Sequence, residues 1–206
     1  NLTQLATKGQ ISGSAAAALT INSGTNDTLS VTLGGVSATI TLAAGTYASA
    51  SALATEVQSK INGVTAFAAA GLAVTATQSA GVITLAANDY GSGAGISITG
   101  GNARTDLLGG APATTAGLDV AGSINGVTGA GAGQSLTGAT GDASEGLQIS
   151  ITGGSTGARG TVSFFRGYAY KLDTLASSFL NSTGAIASRT DGISNSVKVI
   201  GSRREA

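Results

Sequence analysis

The sequence predicts an α+β chain that is mainly β: two glycine-rich antiparallel modules, the outer inserted in the other, then C-terminal helices that begin a coiled-coil leg. Three observations predict it. With 33 Gly, one Pro and only 10% charged residues in 206, the composition is shifted towards extended structure with many turns. Apolar residues alternate with Thr, Ser and Asn along most of residues 19–165, the period-two signature of half-buried strands. After Arg166 the apolar spacing lengthens to three and four, the period of a helix face.

In chain order, Asn1 to Gln10 reads as a short polar lead, the end of a helix. Leu19 and Ile21, then Leu29, Val31 and Leu33, alternate with polar residues as strands. Gly34-Gly35 marks a tight turn into a returning strand of Val36, Ala38, Ile40 and Leu42. Leu53, Val57 and Ile61 lie four apart, which predicts a helix within residues 46–61, entered through Ser49 or Ser51 as N-cap. Asn62-Gly63 closes it, with Gly63 suited to the left-handed position after the helix. Leu72 to Leu85 reads as a hairpin across Gln78–Gly81, and Ile96 with Ile98 as a further strand. Residues 102–118, with the one Pro and Asp106-Leu107-Leu108-Gly109-Gly110, read as a linker. Strands then resume at Val120–Ile124, Gln134–Leu136, Leu147–Ile151 and Thr161–Phe165. Ile61-Asn62-Gly63-Val64 recurs as Ile124-Asn125-Gly126-Val127, a weak repeat in a chain so rich in Gly and Ala.

The modules follow from this pattern. Residues 1–18 with 118–165 form the inner β domain, 19–117 the inserted outer one with its short helix, and 166–206 the helical segment. In that last segment Tyr168, Leu172, Leu175 and Phe179 share one helix face. Asn181-Ser182-Thr183-Gly184 reads as a break. Beyond it Ile186, Thr190, Ile193, Val197, Ile200 and Arg204 keep the alternating four-three spacing of a coiled-coil seam, diluted by Thr190 and Arg204 and weakened by Gly192. The seam residues Tyr168, Leu172, Leu175, Phe179, Ile193, Val197 and Ile200 are the candidate packing or assembly contacts. Leu172, Leu175 and Phe179 are expected to be buried against β structure or a neighbouring helix. The chain stops at Arg203-Arg204-Glu205-Ala206 with no terminating signal, so the seam reads as cut from something longer.

Composition narrows the chemistry. Apolar residues make up 42% of the chain, but only four Phe and four Tyr are among them, so the core is expected to be thin. Net charge is zero and uneven: residues 1–158 hold three basic and seven acidic side chains, residues 159–206 seven basic and three acidic. The basic residues are scattered along helices without a dense run or interleaved aromatics, which argues for a solvated helix face over nucleic-acid binding. The chain has no Cys and no His, which excludes disulfides and thiolate metal sites and removes the commonest general base. Gly, Ser and Thr interrupt every apolar stretch before it reaches membrane-spanning length. No signal peptide is visible, and a fragment would not show one.

No motif marks an active site. Asp142 and Glu145 share a loop, but paired carboxylates need a pocket that shifts their pKa values. Serines are many, yet no His exists to activate one. Gly129–Gly133 lacks the Lys-Ser or Lys-Thr of a phosphate loop, and Gly91-Ser92-Gly93-Ala94-Gly95 lacks the final spacing of a dinucleotide motif. Asp89 and Asp119 are isolated and support no calcium loop. Phe164, Phe165, Tyr168 and Tyr170 are read as the hydrophobic joint between last strand and first helix rather than an aromatic ligand platform. Arg159 and Arg166 flank that joint. The reading is of a structural protein without catalytic, cofactor or metal residues.

Particular segments carry a family resemblance. Asp119-Val120-Ala121-Gly122-Ser123-Ile124-Asn125-Gly126-Val127, followed by Gly133-Gln134-Ser135-Leu136-Thr137-Gly138, is similar to the bacterial flagellar filament cap family, hook-associated protein 2. So is Gly146-Leu147-Gln148-Ile149-Ser150-Ile151-Thr152-Gly153-Gly154, leading through Arg159-Gly160-Thr161-Val162 to the helices. The tail from Ile186-Ala187-Ser188-Arg189-Thr190-Asp191-Gly192-Ile193 to Ala206 resembles the start of that family's C-terminal coiled coil. Leu53 to Val64 resembles the flagellin-type repeat named for its Ile-Asn dipeptide. The resemblance is most specific from Asp119 onward.

It implies a structural cap at the distal end of the flagellar filament, outside the cell, reached through the flagellar secretion system. Such a cap helps exported flagellin subunits fold and insert. The implied partners are flagellin and further copies of the chain in a ring, with host mucin or glycans for members linked to adhesion, and no nucleic acid or membrane. The family's terminal helical segments, which mediate attachment, are missing from this sequence. Three alternatives stand beside this reading: a flagellin or hook–filament junction protein, a flagellar adhesin or glycan-binding module, and an envelope enzyme.

Overall fold

The computed structural model describes residues 1–181 and 183–205. Ser182 of the expected break and Ala206 of the tail lie outside the described residues. The chain divides into two compact units, Asn1–Gly160 and Thr161–Ala206.

In the first unit the order is β1 (Leu2–Gln4), β2 (Lys8–Ser12), β3 (Thr20–Ile21), β4 (Thr28–Leu33), β5 (Val36–Thr41), β6 (Gly45–Thr46), α1 (Ala50–Asn62) and α2 (Thr65–Ala69). Then come β7 (Val74–Ser79), β8 (Val82–Tyr90), β9 (Ile96–Gly100), α3 (Arg104–Leu108) and β10 (Ala113–Thr115). The unit ends with β11 (Ala121–Ile124), β12 (Val127–Thr128), β13 (Ala130–Ala132), β14 (Ser135–Thr137) and β15 (Gln148–Ser150). These strands form antiparallel sheets in the orders β10-β2-β8-β7, β5-β4-β9, β1-β11-β12, β13-β14-β15 and β3-β6. Mainly antiparallel β architecture followed by C-terminal helices is what the alternation and the later helical spacing predicted.

Two cores hold the unit. The larger runs from Ile11 to Leu108 and takes Leu29, Val31 and Leu33 from β4, Ile83 and Leu85 from β8, Leu53, Val57 and Ile61 from α1, and Phe67 from α2. The smaller centres on Leu2, Val120 and Leu136, with Leu5, Ile124 and Ile151 against them. We call the regions around them the larger and smaller lobes. Alternation sets the β4 face: Leu29, Val31 and Leu33 are buried while Ser30 and Thr32 turn outward to pair with Thr39 (3.1 Å) and Ser37 (2.7 Å) hydroxyls of β5. The turn between them has φ of 54° at Gly34 and 83° at Gly35, a type I′ geometry that side chains resist and glycine allows.

Helix α1 begins at Ser49, whose hydroxyl accepts from Ala52 N at 3.2 Å. Its end departs from expectation. Gly63 sits at φ −77°, right-handed, so no left-handed cap terminates the helix. Asn62 instead turns to β7, its Nδ2 donating to Val74 O at 2.9 Å and its Oδ1 accepting from Val74 N at 2.8 Å. One turn earlier, Gln58 Oε1 accepts from Ala76 N at 2.8 Å. Two amide side chains thus satisfy three outer backbone groups at the start of an edge strand, which an uncovered edge would leave open to other chains.

Four expectations are corrected by the structure. The polar lead is not a helix end: Leu2–Gln4 and Lys8–Ser12 are strands, and Leu2 and Ile11 are buried. β2, placed by the sequence with residues 1–18 of the inner module, is hydrogen-bonded to β8 and β10 in the larger lobe. Residues 102–118 are not a linker, because α3 buries Leu107 and Leu108 and β10 pairs with β2. Thr161–Phe165 form no strand; residues 161–167 carry no regular structure.

The second unit consists of that stretch, α4 (Tyr168–Leu180) and α5 (Ala185–Glu205), with the two helices in contact. At the start of α4 the Arg166 guanidinium lies over the Tyr170 ring, 4.4 Å from its centroid, and donates to the Tyr170 hydroxyl. Among the described residues no helix is long and apolar enough to cross a membrane.

Candidate functional site

The seam residues predicted from spacing all lie on the two helices, and in this chain all are exposed. Tyr168 is 90% exposed, Leu172 67%, Leu175 52% and Phe179 45%; Ile193, Val197 and Ile200 are each 60% or more. The expected burial of Leu172, Leu175 and Phe179 therefore does not occur within the chain. Helical spacing gathers side chains on one face, but burial needs a second surface over that face. A core phenylalanine cut to alanine costs about 3–5 kcal/mol; Phe179 removes no such packing here. Val162, Phe164 and Phe165 are exposed as well, so the expected joint is a run of uncovered aromatics. Scattered apolar residues are normal on a surface, whereas this density along one unit is typical of an interaction surface.

A different constellation lies in the first unit, where the chain passes between lobes. It crosses at residues 5–7 and returns at 116–120. Thr7 N donates to Leu118 O at 2.8 Å, and Leu118 N donates to Thr7 Oγ1 at 3.0 Å. Gly91 N, at the end of β8, donates to Thr7 O at 2.9 Å. Backbones meet so closely here that a Cβ on Gly117 would collide with the carbonyl oxygen of Gly91 and lie 3.0 Å from Gly9 N and Thr7 O.

Asp119 sits at the centre. Its Oδ1 accepts from Ser92 N at 3.1 Å and Gly133 N at 2.7 Å, and its Oδ2 from Ser92 Oγ at 2.5 Å. Gln4 Nε2 donates to its carbonyl at 2.8 Å. The Ser92 hydroxyl first, then the Gly133 and Ser92 amides, hold its carboxyl below the usual carboxylate range, since each bond favours the charged form. Sequence reading set Asp119 aside as isolated. Its partners come from positions 27 residues before and 14 after, and no local spacing signals them.

Beside Asp119 an open cleft of about 490 Å³ is lined by Leu72, Asp89, Tyr90 and Ser92 of the larger lobe and Ala132 and Gly133 of the smaller. Lys8 Nζ stands 5.1 Å from the Tyr90 ring centroid nearby. Asp142 and Glu145 occupy a turn: Asp142 Oδ1 accepts from Ser144 N at 2.8 Å and Ser144 Oγ at 2.6 Å, and Glu145 Oε2 from Gly141 N at 3.2 Å. That is the chemistry of a structured turn. Arg159 donates to Gly153 O at 2.5 Å and so closes its own loop.

This architecture has a counterpart among solved structures. The chain is similar to a flagellar cap protein. The match is to the crystal structure of the D2–D3 domains of the flagellar cap protein FliD from Escherichia coli, with a TM-score of 0.51 and 18% sequence identity. It covers 76% of this chain and 82% of the FliD chain. No family model matches the sequence, and no curated protein matches it. The likeness to FliD is one of fold.

Proposed function

We propose that the chain belongs to a structural cap at the distal end of a bacterial flagellar filament, where it promotes folding and insertion of exported flagellin. The observation that carries this reading is the FliD-like fold over 76% of the chain. In this reading the two lobes are the outer and inner plate modules, as the sequence domains 19–117 and 1–18 with 118–165 outlined them, with β2 moved to the outer one. The helical unit from 166 onward is the leg. Its apolar residues, Tyr168, Leu172, Leu175, Phe179, Ile193, Val197 and Ile200, are contacts to further copies of the chain or to flagellin. Their exposure supports that role, since assembly supplies the covering surface that the isolated chain lacks.

The test is made in the cell of origin. Deleting the gene that encodes this chain is expected to give cells without filaments and monomeric flagellin in the medium. Complementation with Leu172→Ser and Phe179→Ser together is expected not to restore filaments, although the purified double variant melts as the parent does. Normal filaments in the deletion strain would end the capping reading and bring the adhesin alternative forward. Full rescue by the double variant would remove these residues from the assembly contacts.

A further inference from the structure

The lobe junction has two properties that seldom coincide. Its covalent connection is slender: two extended crossings, residues 5–7 and 116–120, paired through Thr7 and Leu118. An isolated two-stranded ribbon is marginal in water and bends readily. Yet one carboxylate takes hydrogen bonds from both lobes across it, where the Gly91 and Gly133 backbones also approach closely. Ser92 belongs to the loop between β8 and β9 of the larger lobe, Gly133 to the turn between β13 and β14 of the smaller. Asp119 Oδ1 accepts from both amides at once, while Oδ2 takes the Ser92 hydroxyl. Alongside, the cleft lined by Leu72, Tyr90 and Ser92 on one side and Ala132 and Gly133 on the other leaves unpacked space between the lobes.

We propose that Asp119 is a latch that holds the two lobes at one angle, and that the adjoining cleft is the space through which they move when the latch is open. The three bonds converge on one side chain, so a single change releases all of them. A charged acceptor suits the task, because its bonds to N–H and O–H donors are stronger than those of a neutral one. The backbone bond from Val120 N to Gly133 O, 2.8 Å, lies on the smaller-lobe side alone and would persist. With the latch open, the larger lobe retains the bond from Gly91 N to Thr7 O as its pivot. Hinges of this kind need few residues to absorb the rotation.

The chain has no cysteine, so spin labels can be placed at will. One pair, Ser59→Cys with Thr128→Cys, spans the lobes; a control pair, Ser59→Cys with Thr25→Cys, lies within the larger one. The parent chain is expected to give one narrow distance for each pair by double electron–electron resonance. In Asp119→Ala the spanning pair is expected to lose its single narrow distance while the control pair keeps its own. Ser92→Ala, which keeps both amide bonds, is expected to broaden the spanning distance less. An unchanged spanning distance in Asp119→Ala would overturn the latch, and so would equal broadening of both pairs, which would mean general loosening. Should Asp119→Ala not fold, Asp119→Asn and Ser92→Ala decide by the same readout.

Discussion

Two aspartates carry much of the polar order of the β unit, each by accepting bonds that no neutral side chain replaces in full. Asp119 joins the lobes. Asp27, 6% exposed, accepts from Gly24 N at 2.8 Å and from Asn102 Nδ2 at 3.3 Å, and so fixes the loop before β4. Its neighbour Asn26, 5% exposed, accepts from Asn22 N and donates to Thr20 O and to Asp106 on α3. The Gly24 amide lowers the Asp27 pKa most, against the opposing effect of burial, with Asn102 adding to the lowering; Asp119 is lowered as described. For both, the folded state binds its proton less readily than the unfolded chain, whose carboxyl titrates near about 3.9. Their contribution is therefore complete above that pH and is lost as pH falls through the depressed native values. Urea midpoints should hold steady from pH 7 to about 5 and fall below about 4, where unfolded carboxylates take up protons first. The Asp27→Asn, Asp119→Asn double variant should start lower at pH 7 and show a shallower acid decline. An acid limb as steep as the parent's would assign the decline to other groups.

At the scale of elements, turn chemistry separates what was legible from what was not. Three hairpins close with two residues at positive φ: Gly34-Gly35, Ala80-Gly81 and Asn125-Gly126. Type I′ turns match strand twist and demand that geometry at both positions. The Gly34-Gly35 turn and the hairpin across Gln78–Gly81 were read from the sequence, whereas Asn125-Gly126 was read only as part of a repeat. Ala80, at φ 49°, is the misfit, because its Cβ approaches the following carbonyl in the left-handed region. Ala80→Asn should stabilise the chain by about 0.5–1 kcal/mol, since asparagine tolerates that region. Calorimetry showing a lower melting temperature for the variant would contradict this account. The repeated Ile-Asn-Gly-Val shows the opposite limit. In one copy Asn62 clamps the edge of β7 from a helix end; in the other Asn125 is itself a turn residue. Four identical residues serve two unrelated jobs because their neighbours, α1 in one case and β11 in the other, set the backbone first. The short helices α2 and α3 were missed for a related reason. Five residues hold too little periodicity to register, and Phe67, Leu107 and Leu108 reveal their role only through burial.

Across the whole molecule, among the described residues, the buried apolar cores lie in one of the two units. Every member of both cores lies between Leu2 and Leu136, and the residues packed against them reach no further than Ile151. The last ties of the β unit are the mutual bonds between Leu2 and Gly157, 2.8 and 2.7 Å, and the Arg159 bond to Gly153. Beyond Gly160 the large apolar side chains are exposed, and residues 161–167 form no regular structure. Helical period made α4 and α5 legible in sequence, but period reports a face and not what lies on it, so their exposure was not. If the β unit owes its stability to its own two cores, a chain truncated after Gly160 should unfold cooperatively at the parent's melting temperature. Early tryptic cleavage at Arg166 should leave a closely similar fragment, residues 1–166, since exposed segments without regular structure are cut first. For a domain of this size about 1 kcal/mol moves the melting temperature by roughly 2–4 °C, so calorimetry resolves even a small contribution from the helices. A truncated chain that melts well below the parent would mean that the helical unit stabilises the β unit, and that its apolar residues serve the fold before they serve assembly.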